Sequence, residues 1–568
     1  MNRLFPFVAF LILSFSATAQ PVITSFTPTS GIVGTSVTIT GANFNSTTAN
    51  NTVFFGAVRA TVAAGTTTSL TVTAPEGATF QPISVLDNTT TLTGYSPQPY
   101  ITTFTNPSGT GIPTMYYKPK VDIVTAFRSY ATASALGDLD GDGKVDLVTI
   151  NYGSDRLFAY RNISSPGSIG ASSFATELTF STSFNPIAVA VGDVNGDGKP
   201  DIVVTNNIAY SVSVLQNTST PGTVSFAPKV DFATRVFPNS VAIGDLDGDG
   251  KPELVVTNSG VSRISIFQNT STSGNINTNS FAPKVDFIVG SQPSSVAIGD
   301  LDKDGKPDLV VANLSSATVS VLRNTSTRGS ITAASFSDNG QFQTGALPGS
   351  VAIADVDGDG KLEMLVANYD ANFNSISIFR NTSTVGNINA ASFASRVDFT
   401  TATNPRSISI GDVDGDGKPD LAVANYNSGS VTVLRNTSIS GSINTNSFAA
   451  KVDFTTAINP RSLSVGDVDG DGIPEILVGY ESIDAVSILQ VAAPCNNNIW
   501  EGTVSTSWTD GANWSCGNVP GPGTKVFIYS NKPRYPVISN NVTCQQLYLD
   551  PGVHLEIEKG KIEITGKD

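Results

Sequence analysis

The sequence predicts an all-β protein: a seven-bladed β-propeller with calcium loops, preceded by an immunoglobulin-like β-sandwich and followed by a small β-rich, solenoid-like domain. Three observations carry this. One nine-residue acidic pattern recurs seven times between Asp138 and Glu475, its starts 55, 52, 55, 55, 57 and 55 residues apart. Each repeat holds four short β-branched runs separated by turn-forming residues. All tryptophan, cysteine and histidine lie after Ala493, which sets that segment apart.

The pattern places oxygen-bearing side chains at its first, third, fifth and ninth positions and glycine at the sixth. The candidate metal ligands are Asp138, Asp140, Asp142 and Asp146; Asp193, Asn195, Asp197 and Asp201; Asp245, Asp247, Asp249 and Glu253; Asp300, Asp302, Asp304 and Asp308; Asp355, Asp357, Asp359 and Glu363; Asp412, Asp414, Asp416 and Asp420; and Asp467, Asp469, Asp471 and Glu475. Calcium is a hard cation that takes about six to eight oxygen ligands, so alternating carboxylates on a sharply turning chain suit it. The glycine permits the turn, the seventh residue can offer its carbonyl, and the ninth carboxylate can close the shell bidentately. About seven calcium ions, one per blade, are expected.

A helix–loop–helix calcium site begins with the same run but needs glutamate at the twelfth position. Here that position is Thr149, Val204, Val256, Val311, Val366, Val423 or Val478, each inside a strand-like run such as DLVVAN. The loops therefore join strand to strand. In SVAIGD, Val241 and Ile243 fall on one face and Ser240 and Ala242 on the other, so this run is expected innermost, with its small face to a crowded channel.

The repeats, from DLDGDGKVD to DVDGDGIPE, resemble the FG-GAP or VCBS family, the seven-bladed propeller of integrin α-subunits and of many secreted bacterial proteins. The resemblance implies that each calcium loop links the first and second strands of a blade. It also implies that KPKVDIV at 118–124 supplies the outer strand of the last blade, whose inner strands run from Arg461 to about Val491. Blades without this exchange fit the sequence equally well.

The chain begins MNRLFPFVAFLILSFSATAQ, with Arg3, an apolar run and an Ala17-Thr18-Ala19 cleavage site, so residues 1–19 are expected to be a secretory signal. The protein is then secreted or held at a bacterial cell surface, without a membrane span. Residues 20–103 open with PVITSFTPTSGIVGTSVTITGANFN, whose alternation and turn markers Pro28, Gly31, Gly34 and Gly41 fit a small β-sandwich. This segment resembles the IPT/TIG family, which implies a spacer or contact module. The propeller is expected over 104–492.

From 493 to 568 the run IWEGTVSTSWTDGANWSCGNVPGPGTKVFI resembles a cell-surface module of secreted Bacteroidetes proteins, and the tail steps through short strands as a β-solenoid would. One disulfide among Cys495, Cys516 and Cys544 is expected, with a thiol left over. The chain stops on an unfinished solenoid, so truncation is one reading of its end.

The formal charge is −15, and 27 of the 47 acidic residues occupy metal positions. Seven divalent ions would offset nearly all of it, so the acidity calls for no basic partner. Nucleic acid is excluded, since its binders cluster Lys and Arg. The propeller contains neither His nor Cys, which removes Ser–His, Cys–His and His-ligated metal chemistry there. A polysaccharide lyase or hydrolase working through Tyr, Arg, Lys or carboxylates is the alternative to a non-catalytic binding protein.

Comparison across blades points to a ligand surface. After the second strand, on the face opposite the calcium loops, stand Tyr152, Asn207, Ser259, Leu314, Tyr369, Tyr426 and Tyr480. The tyrosines belong to blades 1, 5, 6 and 7, contiguous in a closed ring. Arg406 and Arg461 stand six residues before the last two motifs. The expected ligand surface is Tyr152, Tyr369, Tyr426, Tyr480, Arg406 and Arg461, recognising a carbohydrate or a surface or matrix protein, in a monomer engaged in binding or cell adhesion. The loops NTSTPGTVSF, NTSTSGNINTNSF, NTSTRGSITAASF and NTSISGSINTNSF match glycosylation sequons, but their place in the repeat favours turn and hydrogen-bonding roles.

Overall fold

A computed structural model describes residues 19–104, 116–117, 120–124, 131–170, 172–272, 274–370, 374–492, 497–510, 513–514, 519–521, 524–530 and 532–566. The signal segment, Cys495 and Cys516 lie outside the described residues. Cys544 is a buried free thiol.

Seven antiparallel sheets form the propeller. Blade 1 runs Ala131–Gly137, Asp146–Asn151, Arg156–Tyr160 and Leu178–Ser181, in that order from the centre outward. Blades 2 to 6 repeat the order, with innermost strands Pro186–Gly192, Pro238–Gly244, Pro293–Gly299, Pro348–Ala354 and Pro405–Gly411. Blade 7 takes Pro460–Gly466, Glu475–Tyr480 and Ala485–Ala492 from its own repeat and Val121–Val124 from before blade 1. Val121 pairs with Ile488 and Val124 with Ala485, antiparallel. The ring is closed by strand exchange, as the family resemblance implied. Each innermost strand neighbours the next, and blade 7 meets blade 1.

The second strands are buried throughout and the third strands nearly so, with Arg156 exposed and Arg263 and Arg323 half-buried, and hydrophobic clusters sit between successive blades. One joins Val203 of blade 2 to Leu254 and Val256 of blade 3, and another joins Val204 of blade 2 to Val148 and Ile150 of blade 1. The innermost strands are half-buried, as small channel-facing side chains require.

The amino-terminal domain is a β-sandwich of Val22–Thr27, Ser36–Ala42, Asn51–Phe55, Val58–Gly65, Ser69–Thr73, Pro82–Asp87 and Leu92–Pro99 around Val37, Ile39, Val53, Phe55, Leu70 and Val72. The carboxyl-terminal segment pairs its short strands in parallel: Asn497–Ile499 with Lys525–Ile528, the latter with Gln546–Leu549, and Val542–Cys544 with Ile562–Ile564. Partners 20 to 28 residues apart in parallel are the rungs of a solenoid. Trp500, Trp508 and Trp514 fill its core edge to face, at 4.9 and 4.7 Å. Among the described residues no helix is long and apolar enough to cross a membrane.

Candidate functional site

Two ends of the propeller carry chemistry. At one end the acidic loops connect first to second strand in every blade. The loop shapes itself through its own carboxylates: Asp138 accepts N–H groups from Gly141 at 2.8 Å and Gly143 at 3.1 Å, Asp140 from Asp142 at 3.0 Å, and Asp142 from Lys144 at 2.9 Å. Such a nest needs left-handed backbone at its fourth and sixth positions, and Gly141 and Gly143 have φ of 75° and 91°. In blade 4 the fourth position is Lys303, at φ 57°.

The ninth-position acids differ from the expected free bidentate arms. Asp146 is fully buried and accepts N–H groups from Leu139 at 3.0 Å and Asn162 at 2.8 Å. Asp201, Asp308 and Asp420 repeat both bonds. These carboxylates lock the loop to the start of the second strand and the end of the third. Even so, one oxygen each from Asp138, Asp140 and Asp146 lies within 4.8 Å of the others, as do those of Asp245, Asp247 and Glu253, and of Asp412, Asp414 and Asp420. In blades 4 and 5 the converging groups are Asp300, Asp302 and Asp304, and Asp355, Asp357 and Asp359.

Burial, with neighbouring carboxylates adding, pushes Asp193 and Asp245 up to about 7, Asp146 and Asp308 to about 8 and Glu363 to about 9. Crowded, buried, oxygen-only groups that resist ionisation in one another's company could hold a hard metal ion, which would remove the repulsion. Cationic side chains partly do so already. Arg323 pairs with Asp302 and Asp304, Arg380 with Asp357 and Asp359, and Arg435 with Asp414.

The sequon asparagines have a structural use. Asn217 is buried, and its Nδ2 donates at 2.8 Å both to Pro200 O in its own blade and to Leu139 O in the preceding loop. Asn269, Asn324, Asn381 and Asn436 do the same to Val194, Leu246, Leu301 and Val356. Asn162 reaches Val468 at 2.6 Å, across the closure. Their amide hydrogens are spent as clasps between blades.

The amino-terminal sandwich covers this end. Ala57 packs with Leu139 and Val191, and Val58 with Val145 and Val468, so the tip of one hairpin fills the channel mouth. Thr79 pairs with Gly466 as an antiparallel bridge, and Asp138 N–H donates to Ala57 O at 3.1 Å. Burial, then the charges of Asp245, Asp193 and Glu253, raise the Tyr95 phenol well above its ordinary value.

At the opposite end, in blades 2 to 7, the residue after each second strand donates its N–H to the turn before the innermost strand. Tyr369 bonds Leu347 O at 2.8 Å, Tyr426 bonds Asn404 O at 2.8 Å and Glu481 bonds Asn459 O at 3.0 Å. Glu481 is therefore blade 7's counterpart of the tyrosines, and the assignment of Tyr480 to the ligand surface is corrected. Tyr480 takes the register of Asn368 and Asn425, is fully buried, and donates to Ser487 Oγ at 2.8 Å, as Asn425 does to Thr432 Oγ1 at 2.9 Å. Counting thirteen residues from each motif start reveals this shift; matching tyrosine to tyrosine hides it.

Arg406 and Arg461 each follow the first proline of an innermost strand, at register shifts between Pro405 and Ser407 and between Pro460 and Ser462. Such bulges re-aim a side chain. The Arg406 guanidinium lies 5.1 Å from the Tyr369 ring centroid and 5.0 Å from that of Tyr426, and the rings meet edge to face at 5.9 Å. Glu481 faces both arginines, Arg461 at 3.0 Å and Arg406 at 3.3 Å. One carboxylate against two guanidiniums leaves one positive charge over. Burial, then Arg406, lowers Arg461 to about 10, against the opposing effect of Glu481.

Tyr152 is exposed at the equivalent place in blade 1, outside this cluster of contacts. The sequence comparison passed over a second feature: Phe184, Ile208, Tyr210 and Phe237 stand exposed on the same end in blades 2 and 3, Tyr210 and Phe237 edge to face at 5.3 Å. Phe237 stands where blades 6 and 7 carry Asn404 and Asn459.

Profile comparison matches an FG-GAP-like repeat to residues 138–204, 193–256, 246–311, 300–366, 355–423 and 412–478, and an IPT/TIG domain to residues 21–104. No curated protein matches the chain. Among solved structures, BBS1N in complex with ARL6DN is similar at 16% identity, covering 67% of this chain and 98% of its own, with a TM-score of 0.44. A humanized mutant of the Chaetomium thermophilum Polycomb Repressive Complex 2 bound to an inhibitor is similar at 10% identity, covering 67% and 98%, with a TM-score of 0.47. An auxiliary nutrient binding protein from Bacteroides thetaiotaomicron is similar at 11% identity, covering 83% and 98%, with a TM-score of 0.31.

Proposed function

Because the chain belongs to the FG-GAP-like repeat family, with an IPT/TIG domain before its propeller, we propose that it is a secreted or cell-surface, calcium-stabilised binding protein. It presents the propeller end opposite the acidic loops to a carbohydrate or protein ligand, as a monomer. One observation carries this: the amino-terminal domain occupies the acidic-loop end and not the other, where Arg406, Arg461 and Glu481 meet Tyr369 and Tyr426. In the other blades the position of the two arginines is taken by Thr132, Ile187, Asn239, Ser294 and Gly349, so the cluster is particular to one sector.

The surplus positive charge favours a ligand that brings a carboxylate or sulfate group, which would pair with a guanidinium already held in place by two rings. Exposed aromatic faces nearby add apolar contact. Calcium neutralises the loops and holds the ring without taking part in recognition. The test is binding of the full chain, in calcium, to arrays of neutral and acidic glycans and of matrix proteins. Binding that disappears in Arg406→Ala/Tyr426→Ala supports the site; binding that persists in that double variant removes it.

A further inference from the structure

The acidic loops are not equivalent, because the IPT/TIG domain rests on some of them and not on others. In blade 3, Gln20 Nε2 donates to Asp245 Oδ2 at 2.6 Å, and Thr93 N–H donates to Gly250 O at 2.8 Å. The first contact is with the loop's first carboxylate and the second with the carbonyl of its sixth residue. In blades 2 and 6 the domain passes so close that a side-chain carbon on Gly196 or Gly415 would meet Thr91 O at 2.7 Å or Phe104 O at 2.9 Å. In blade 7, Glu76 lies equally close over Gly470. The loops of blades 4 and 5 are open, with nothing within 4 Å of Gly305 or Gly358; blade 1 is equally open at Gly141 and Gly143, and the domain meets that loop at Asp138 instead. The one fourth-position residue that is not glycine, Lys303, falls on an open loop.

We propose that metal binding in the covered loops and seating of the IPT/TIG domain are one coupled equilibrium, with the blade 3 loop a composite site that Gln20 completes. This rests on the loops' binding calcium. Gln20 can hold Asp245 Oδ2 only while that carboxylate keeps the orientation set by the folded nest, and a cation at its centre fixes that orientation. Without the ion the crowded carboxylates of the loop repel one another, and the Gly250 carbonyl and Asp245 carboxylate offered to the domain shift with them. By linkage, whatever calcium adds to docking, docking adds to calcium affinity by the same factor.

Hydrogen exchange of the full chain reads the coupling through two interface amides, Thr93 bonded to Gly250 and Asp138 bonded to Ala57. The comparison is between Asp245→Asn/Asp412→Asn, in covered loops, and Asp302→Asn/Asp357→Asn, in open loops, both in calcium. Faster exchange at Thr93 and Asp138 in the first variant alone is expected; equal exchange in both overturns the proposal. Should the first variant lose its blades altogether, Gln20→Ala decides, since it leaves every loop intact. Calcium isotherms should then show one ion bound about tenfold more weakly, and an unchanged isotherm counts against the coupling. Absence of bound calcium from the wild-type chain would instead refute the calcium assignment itself.

Discussion

Ser487 donates its hydroxyl to Asp122 at 2.5 Å, across 365 residues of sequence. The same bond recurs within single repeats, from Ser213 to Asp231, Ser265 to Asp286, Ser377 to Asp398 and Thr432 to Asp453, at 2.5 to 2.6 Å. A strand from before the first blade thus makes in blade 7 the contact that each outer strand makes elsewhere. This contact ties the ends of the propeller together, so the ring has no free seam.

Asp122→Ala should therefore destabilise the propeller about as much as Asp398→Ala does. Each removes a charge-assisted hydrogen bond and leaves the proton of a buried serine hydroxyl without its acceptor, a cost of about 1–3 kcal/mol. Denaturant midpoints measure it. A silent Asp122→Ala beside a damaging Asp398→Ala would show that the exchanged strand is not docked in solution.

Asn381→Ala should cost about 1–3 kcal/mol, because the amide spans two blades and its loss leaves Leu362 O without that donor and Leu301 O with the Ser383 hydroxyl alone. Thr382→Ala, whose hydroxyl bond to Ala391 O is exposed, should be nearly neutral. Equal effects would mean that the sequon asparagine is no clasp.

Calcium should raise the melting temperature, and the gain should depend on pH. Burial pushes first- and ninth-position carboxylates up, Asp138 to about 6, Asp193 to about 7, Asp146 to about 8 and Glu363 to about 9, against about 4 in an unfolded chain. Between those values the metal-free native state holds more protons than the unfolded one, so its stability falls as pH rises. In EDTA the melting temperature should be higher at pH 5 than at pH 8, and calcium should add more at pH 8. An EDTA melting temperature that climbs from pH 5 to pH 8 contradicts the crowding of these carboxylates.

Tyr480→Phe and Tyr426→Ala should separate folding from recognition. The first loses a buried bond to Ser487 and should lower stability by about 1 kcal/mol with ligand binding intact. The second removes one wall around Arg406 and should weaken binding with little change in melting temperature. The reverse pattern would return Tyr480 to the ligand surface.

The proposed secretion predicts that amino-terminal sequencing of the mature protein begins at Gln20. Its side chain bonds Asp245 and its carbonyl accepts the Asn43 amide at 2.9 Å, so processing further along the chain would remove a docking contact. A mature protein that starts beyond Gln20 speaks against the composite site in blade 3.

Much of the architecture was legible because it is local and repeated. Asp138 to Asp146 form their nest from hydrogen bonds two to five residues apart, so nine residues specify the loop wherever they occur. A period of 52 to 57 residues then counts the blades. Alternation in SVAIGD identified the inner strand because a pleated strand shows one face to the channel. The ligand surface was legible only in part. Arg406, Tyr369 and Tyr426 were singled out separately, but Glu481 was displaced by the neighbouring Tyr480, since a residue type was matched where hydrogen-bond register decides the face.

The sequence by itself determined the seven blades, the acidic loops and the amino-terminal sandwich, and left the strand exchange open until the pairing of Val121–Val124 with blade 7 decided it. Only the tertiary structure decided which loops lie under the sandwich, that Tyr480 is core, and that Arg406 is held between two rings while Glu481 is shared by two arginines. The physical reason is separation along the chain. Gln20 and Asp245 lie 225 residues apart, and no local pattern encodes a contact made when one domain settles on another.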